Sequence, residues 1–377
     1  MARAAIFLGA IFPDSDVILN LFEPNGLGTI RFHRGPTHSL VCMPVFAALL
    51  ASMVGWLCRW RRIECPSWVR LSVFIGAGIG LHIVFDAITS FGTMVWSPLS
   101  WSRVSWDTTF ILDPVLTLIL LLPLLLGWIY SRREKAAWRG VALWFGLSAL
   151  AAVVVRIESA FEIVAAAPVS EMADLGDVIR LNASLPASAV VCALLASVLG
   201  LPALRGKGFK LSRRRWCSLG ALAAIFYLGL NAGAHALALR QVEDFARSRG
   251  LHVQDAAALP MPPSLLYWSG LIRTPEAMYH SYFSLFRSQP PRFETIARRP
   301  LDPASEAALQ APNAQAMLRF SRFPLVADLP RGTSYHRIMI FDLRFLPSRD
   351  GTLAFAYQIT LDADGHIVHQ GWLKPEM

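Results

Sequence analysis

The stretch His33-Arg34-Gly35-Pro36-Thr37-His38-Ser39 places two imidazoles, a guanidinium and two hydroxyls immediately before a long apolar run. Upstream lies Pro13-Asp14-Ser15-Asp16, and downstream an apolar segment carries His82 and Asp86 four positions apart. On a helix, side chains with this spacing share one face. Neutral imidazoles and carboxylates together form a ligand set that suits zinc or manganese. The sequence therefore predicts a metal site at the entrance to a group of apolar helices.

The composition indicates a membrane protein. Of the 377 residues, 54% are hydrophobic and only 16% are charged, and the mean hydropathy is +0.45, which is too apolar for an ordinary soluble chain. The net charge of +9 comes from short loops and is accompanied by no base-reading motif, so we expect no nucleic-acid partner. The five cysteines lack the spacing of a disulfide framework or of a thiolate zinc site.

Six apolar runs have about the 20 residues needed to cross a ~30 Å hydrocarbon core. The segment from Ala4 to Phe22 is also apolar but is interrupted by Pro13, which predicts a partial or re-entrant helix against the bundle. Since Pro13, Asp14 and Asp16 stand where a signal peptide would have its cleavage site, we expect the N-terminus to be retained. The six predicted spans are residues 40–58, 71–91, 111–130, 140–157, 185–203 and 217–238.

The loop charges predict the orientation. Arginine and lysine are concentrated in the loops after the first, third and fifth spans, and such loops remain on the cytoplasmic side. The loop 158–184 carries mainly acidic residues, which fits the outer side. Residues 1–39, Asp86, the loop 92–110 and everything after about Arg240 then share the extracytoplasmic side of the membrane. The predicted metal site therefore faces outward.

The composition changes after Arg240, where the chain becomes more polar and richer in proline. Alternation of apolar and polar residues predicts strands over 336–345 and 353–361, followed by an Asp-Gly turn into Ile367 and Val368. The predicted fold class is mainly α: a polytopic membrane helix bundle of about six spans with a small C-terminal α/β extracytoplasmic domain. The predicted domains are residues 1–130 with the site, 131–239 with further spans, and the tail 240–377.

The acidic and histidine candidates each have a structural explanation as well. Asp14 and Asp16 could cap a helix after Pro13, and His33 or His38 could form hydrogen bonds with loop backbone. Two carboxylates one residue apart, followed by two histidines, favour cation coordination instead.

The remaining polar residues of the stretch are candidate substrate-binding groups. Gly35-Pro36 predicts a tight turn that could bring the flanking imidazoles together. Arg34 could hold a phosphate or pair with one of the upstream aspartates, and both possibilities stay open. Thr37 or Ser39 could cap the following helix or contact the substrate.

Ionisable groups inside a span are costly, so His82 and Asp86 indicate function. The alternative is a buried hydrogen bond between them that stabilises the bundle. In the functional interpretation His82 is a ligand, and Asp86 is a ligand, a catalytic group or the group that orients an imidazole. Asp113 precedes a proline, which predicts a helix start, and it is also a candidate general base. Asn231 and His235 are interpreted as an interhelical hydrogen-bonding pair outside the site.

The segments PDSD, HRGPTHS, HIVFDAITSFGT, WSPLSW and DTTFILDP, in this order over residues 9–116, resemble the YdjM-like family of bacterial inner-membrane metal-dependent hydrolases. The later part of the chain resembles the soluble tail of longer members. Members usually begin with a further helix carrying a Thr-His motif, which is not found after Met1, so we expect either a missing ligand or a start further upstream. The resemblance implies a metal site made of Asp14, Asp16, His33, His38, His82 and Asp86.

The family is also distantly similar to the helical zinc-dependent phospholipases C, which implies hydrolysis of a phosphoester and more than one ion. We therefore expect a membrane-bound hydrolase that uses zinc, or else manganese, on a lipid or envelope phosphoester, with Asp86 or Asp113 as a catalytic group. The first alternative is a non-enzymatic membrane protein that binds or moves a cation through the same residues. It is less favoured because spans three to five carry almost no polar residues. The second is a structural module whose tail binds an envelope partner.

Overall fold

The structure of the protein is a computed structural model. It contains a group of helices, followed along the chain by two β-sheets. The predicted spans 140–157 and 185–203 lie largely outside the described residues, and the acidic loop 158–184 lies wholly outside them. The described residues are 1–22, 27–136, 138–146, 149, 197–199, 202, 209, 211–286, 290–298, 300–329, 336–345 and 355–372.

The part of the chain before the first strand, which we call the front segment, is helical, as predicted. Its helices are α1 (Ala2–Ile11), α2 (Gly28–Arg31), α3 (Met43–Trp60), α4 (Trp68–Ala87), α5 (Pro114–Ile129) and α6 (Arg213–Ser248), with 3-10 turns at Phe12–Phe22, Pro36–His38 and Arg133–Lys135. Among the described residues α3, α4 and α6 are long and apolar enough to cross a membrane, whereas α5 is apolar but shorter. The structure thus supports three candidate spans of the six that were predicted.

Helix α1 packs tightly against α4. A Cβ atom added at Gly78 would lie 2.2 Å from the carbonyl oxygen of Ile6, and one added at Gly9 would lie 2.1 Å from that of Ile75. Only glycine allows two helix backbones to approach so closely, as in packing between membrane helices. With 10 residues, α1 is too short to span a bilayer alone. This agrees with a partial helix lying against the bundle, and α1 ends just before Pro13.

Helix α6 continues through the predicted domain boundary at residue 240. Its 36 residues correspond to about 54 Å, which is more than a hydrocarbon core requires. Beyond the boundary, Val242 and Ala246 pack with Trp268 and Ile272 of the first sheet. The C-terminal part of α6 therefore belongs to the core of the domain that follows it.

The C-terminal region from Asp255 to Trp372, which we call the sheet region, contains two antiparallel four-stranded sheets and two short helices. This confirms that strands form at the C-terminal end of the chain. Strands β1 (Asp255–Met261), β2 (Tyr267–Arg273), β3 (Ala277–Ser284) and β4 (Glu294–Ala297) pair in chain order, as do β5 (Pro324–Leu329), β6 (His336–Asp342), β7 (Tyr357–Leu361) and β8 (Ile367–Trp372). Helices α7 (Pro303–Ala308) and α8 (Pro312–Phe320) lie between the sheets in sequence.

The predicted strand 336–345 is three residues too long. Strand β6 ends at Asp342, and Leu343–Phe345 form a 3-10 turn. The Asp342 carboxylate accepts a hydrogen bond from the Arg344 amide at 3.0 Å, which turns the backbone out of the sheet.

The sheet region packs on the end of the bundle that carries His33–Ser39. Leu27 and Ile30 are buried in the core of the second sheet, and the ring of Phe91 packs against that of Phe320 at a tilt, with centroids 5.3 Å apart. Arg322 forms an ion pair with Asp107 at 2.7 Å. The front segment and the C-terminal region therefore share one end of the bundle.

Candidate metal centre

Two histidines and two aspartates meet at this end of the bundle, and we call them the helix-end cluster: Asp14, His38, His82 and Asp86. The Nε2 atoms of His38 and His82 are 3.2 Å apart, and Asp86 Oδ2 lies 3.2 Å from the first and 3.4 Å from the second. Asp14 Oδ1 lies 3.4 Å from each of the same two nitrogens. Each aspartate thus forms a nearly equilateral triangle with the two histidines.

The size of these triangles fits zinc. A tetrahedral ion with ligands at 2.0–2.1 Å has edges of about 3.3–3.4 Å between ligand atoms. The triangle of His38, His82 and Asp86 matches one face of such a site. Three protein ligands with one position left open are the arrangement of catalytic zinc sites.

The orientation of the imidazoles also favours an ion. His82 Nδ1 donates to the carbonyl oxygen of Ala10 at 2.7 Å, and a carbonyl can only accept, so Nε2 of the neutral ring carries the lone pair. His38 Nδ1 lies 3.2 Å from Asp16 Oδ2, which orients its Nε2 in the same way. Asp86 Oδ2 is buried without a hydrogen-bond partner in the described structure. Electron pairs that converge in this way require a proton or a cation between them.

Asp16 lies beside the cluster and holds its loop. Its carboxylate accepts from His33 Nδ1 at 2.8 Å, from the Arg34 amide at 3.0 Å and from Thr37 Oγ1 at 3.1 Å. These bonds place Asp16 on the outer side of His38, where carboxylates orient metal-binding imidazoles. The geometry therefore favours an orienting role for Asp16 over the expected ligand role. His33 does offer an atom within 4.8 Å of Asp14 and His38 atoms, so it stays a candidate for a further ligand.

The charges of the cluster stabilise one another. Burial opposes ionisation of Asp16, but hydrogen bonds with His33 and His38 outweigh it and hold the pKa of this carboxyl well below its usual range. Hydrogen bonds with His38 and His82 likewise lower the pKa of Asp14. Burial disfavours the charged form of His38, yet Asp14 and Asp16 raise its pKa. In the absence of an ion, protons would hold the cluster together.

Arg34, the first of the three candidate substrate-binding residues, contacts the cluster through its guanidinium group. Its Nη2 contacts Asp86 Oδ1 at 3.0 Å, and its Nη1 donates to Thr89 Oγ1 at 3.2 Å. Arg34 is buried, and its backbone has a positive φ of 62°. Of the two possibilities left open for Arg34, a phosphate or an upstream aspartate, the structure shows no side-chain ion pair with an aspartate upstream among the described residues. Arg34 pairs with Asp86 instead and orients that carboxylate.

Thr37 and Ser39 have structural contacts. Thr37 Oγ1 bonds Asp16 and lies 3.0 Å from His38 Nδ1. Ser39 is fully buried, and its Oγ accepts from the amides of Val41 and Cys42. Ser39 therefore holds the turn that leads into α3. The expected capping role is not seen, because the N-cap of α3 is Cys42 and no side chain caps it.

The structure does not bring Asp113 to the cluster. Its Oδ1 accepts from the Leu116 amide at 2.9 Å, and its Oδ2 accepts from the Ser264 amide at 2.9 Å. Tyr227 Oη also donates to this carboxylate at 3.0 Å. Asp113 caps α5 and ties it to α6 and to the sheet region, so these contacts argue against its role as a general base.

The predicted interhelical hydrogen bonding of Asn231 and His235 is not seen in the described residues, because the partner of Asn231 lies in the loop before α5. Asn231 Nδ2 donates to Thr109 Oγ1 at 3.4 Å, while the ring of His235 lies 5.8 Å from that of Trp268. Both residues lie apart from the helix-end cluster.

Sequence reasoning missed the backbone parts of the site. The Ala10 carbonyl, at the end of α1, orients His82, and the Gly9–Gly78 contact brings α1 close enough to do so. A carbonyl leaves no signature in a sequence, although the two glycines were visible in it.

By its fold and its cluster, this protein is a helical membrane protein with a His/Asp group that could hold a metal ion at one end of the bundle. Residues 2–160 match the family model described as YdjM inner membrane protein. This match confirms the resemblance: over these residues the chain is similar to that family of inner membrane proteins. No curated protein and no solved structure matches the chain.

Proposed function

We propose that this protein is a membrane-bound, metal-dependent hydrolase whose helix-end cluster holds a zinc or manganese ion. The observation that carries the proposal is the convergence of His38 Nε2, His82 Nε2 and Asp86 Oδ2 at mutual distances of 3.2–3.4 Å. Asp16, Arg34 and the Ala10 carbonyl orient these ligands from outside. A divalent ion there would lower the pKa of water to ~7 and polarise a scissile phosphoryl or carbonyl group.

The residues around the ligands have distinct roles. Asp14 is the open edge of the cluster, because 59% of its side chain is exposed whereas that of His38 is fully buried. Asp14 therefore faces the incoming substrate and is placed to accept a proton from it or to complete the ligand set. Asp86 is held by Arg34 and would remain a ligand throughout.

The substrate that we propose is a lipid or envelope phosphoester. Asp14 lies in the 3-10 segment Phe12–Phe22, where Val17, Ile18 and Leu19 are each about half exposed. Exposed apolar side chains beside a polar site are typical of a membrane-facing entrance. An amphiphilic substrate could therefore present its polar group to the cluster without leaving the bilayer.

The orientation that we propose places the cluster and the sheet region outside the inner membrane of a multi-pass protein. Arg59, Arg61 and Arg62 lie at the opposite end of α3 from Ser39 and are exposed. Positive loops of this kind stay in the cytoplasm, so the cluster would face the extracytoplasmic side. The bilayer is then the first partner of the protein, and its lipids are the candidate substrates.

The test measures metal content and hydrolysis together. Protein purified in detergent should contain about one equivalent or more of zinc or manganese and should hydrolyse a phosphoester in a chelator-sensitive way. Asp86→Asn removes an anionic ligand and should lower both. The matched control is His252→Ala, which removes an exposed histidine outside the cluster and should change neither. Activity that is unchanged in Asp86→Asn and His38→Ala would refute the hydrolase assignment.

A further inference from the structure

An arginine-rich cleft lies where the front segment meets the sheet region. It has a volume of about 790 Å³. The front segment contributes Arg31 and Arg103, and the sheet region contributes Arg319, Arg322 and Arg344. The cleft is thus built from two parts of the chain that are far apart in sequence. The residues of the helix-end cluster do not line it.

Two of these arginines are neutralised by carboxylates. Arg322 pairs with Asp107 at 2.7 Å and with Asp255 at 3.0 Å, and Arg344 pairs with Asp342 at 2.9 Å. These two arginines therefore add little net positive charge to the cleft.

Arg103 and Arg319 differ from them, since neither forms an ion pair with a carboxylate of the described residues. The hydrogen bonds of Arg103 end on the carbonyl oxygens of Ile30, His33 and Gly92. These bonds hold the guanidinium in place but do not neutralise it. Burial, together with the charges of Arg344 and Arg34, lowers the pKa of Arg103 to about 9. Arg319 is exposed in the last turn of α8. The cleft thus retains positive charge for which an anion would be the natural complement.

The loop beside the cleft carries exposed tryptophans. Trp101 lines the cleft and is 58% exposed, and Trp96, Leu99 and Trp106 of the same loop are at least half exposed. Exposed tryptophans of this kind are enriched at the level of lipid headgroups. Guanidinium groups bind phosphate oxygens through paired, charge-assisted hydrogen bonds.

We propose that this cleft binds a phosphate group, as a lipid headgroup or a soluble phosphoester presents it, through Arg103 and Arg319. The site is separate from the helix-end cluster and needs no metal. It gives the C-terminal region a role, because this region completes the cleft with Arg319. Phosphate binding would also strengthen the contact between the front segment and the sheet region.

The experiment is calorimetric titration of the full chain in uncharged detergent and in metal-depleted buffer. The probes are dihexanoyl phosphatidic acid and inorganic phosphate. The double variant Arg103→Gln, Arg319→Gln should bind at least about tenfold more weakly than the unchanged protein, because charge-assisted hydrogen bonds are lost. Arg319→Gln alone changes an exposed side chain and should weaken binding by a smaller factor. If the double variant does not fold, this single variant tests the proposal.

The matched control is Arg337→Gln, which removes an exposed arginine of β6 outside the cleft and should leave the affinity unchanged. Binding of phosphatidic acid but not of inorganic phosphate would assign the site to a lipid headgroup. Equal binding of both would assign it to soluble phosphate. An unchanged affinity in both cleft variants, or an equal loss in Arg337→Gln, would overturn the proposal. Because no metal is present, this outcome is independent of the hydrolase test.

Discussion

Two of the histidine and aspartate groups in the described part of the chain are alike in composition but differ in construction. In the helix-end cluster two imidazole nitrogens approach to 3.2 Å, and their outer nitrogens are held by other groups. In the second sheet a single imidazole, His336, contacts Asp328 through Nε2 and lies 3.5 Å from Asp302 through Nδ1. There the two nitrogens of a single ring face different carboxylates. Two rings whose lone pairs face each other call for an ion, so convergence of ligand atoms matters more than residue types.

The largest effect should come from removing a ligand. His38→Ala deletes one of the two converging nitrogens and should lower metal affinity by more than about 100-fold, since even groups that orient a ligand contribute 10–100-fold. His336→Ala is the matched change in the other group and should leave metal content unaltered. Metal analysis of both folded variants checks this prediction. Equal metal loss in the two variants would remove the distinction between the groups.

The next effect concerns the orienting carboxylate. Asp16→Asn keeps the shape of the side chain but removes the charge that faces His38 Nδ1 at 3.2 Å. Metal affinity should fall by about 10–100-fold, while the fold is retained. Asp244→Asn is a suitable control, because Asp244 forms an exposed ion pair with Arg247 on the surface of α6. A variant with wild-type metal affinity would show that Asp16 supports the loop alone.

A third prediction tests how the helix-end cluster is assembled. In Gly78→Ala the new methyl group would lie 2.2 Å from the Ile6 carbonyl oxygen, so α1 must move and the Ala10 carbonyl moves with it. Overpacking costs about 1–3 kcal/mol. Gly76→Ala is the control on the same helix, since its methyl group would be 3.6 Å from Ala47 Cβ. Thermal unfolding and metal content should change in the first variant only.

The sequence predicted the ligands better than it predicted their supports. His82 and Asp86 share a helix face, so their spacing alone brings them together. Asp14 and His38 lie on irregular segments whose placement depends on the Gly9–Gly78 crossing, which is a tertiary contact. The motifs indicated that these residues belong together but could not separate ligands from orienting groups. Asp16 was therefore expected to be a ligand.

Asp113 shows a second reason why the sequence was insufficient. Its partners Tyr227 and Ser264 are more than a hundred residues away in sequence. A carboxylate before a proline fits both a cap and a base, and only tertiary contacts distinguish the two. Similarly, β6 was predicted to continue to Phe345 because the alternation continues. The Asp342 side chain ends the strand through a bond to the Arg344 backbone, which a pattern of hydrophobicity does not encode.

The smallest predicted effect contrasts buried histidines with and without acidic partners. His280 on β3 is buried, and its Nε2 lies 3.1 Å from Ser269 Oγ. Burial lowers its pKa to about 4, whereas acidic partners raise that of His38. Between about pH 4 and pH 6.5 the unfolded chain binds a proton at this position that the folded sheet does not bind. The stability that neutral His280 contributes is therefore complete above pH 6.5 and decreases as the pH falls.

Lowering the pH from 7 to 6 should cost the first sheet roughly 0.5–1 kcal/mol through His280. Hydrogen exchange of β2 and β3 amides, corrected for the intrinsic rate at each pH, measures this loss in the full chain. His280→Gln keeps a polar group near Ser269 but does not titrate, so its sheet should be insensitive to pH over this interval. If wild type and variant lose protection equally, another group titrates. The contrast between the two histidines would then rest on His38 alone, whose pKa is raised by neighbouring carboxylates.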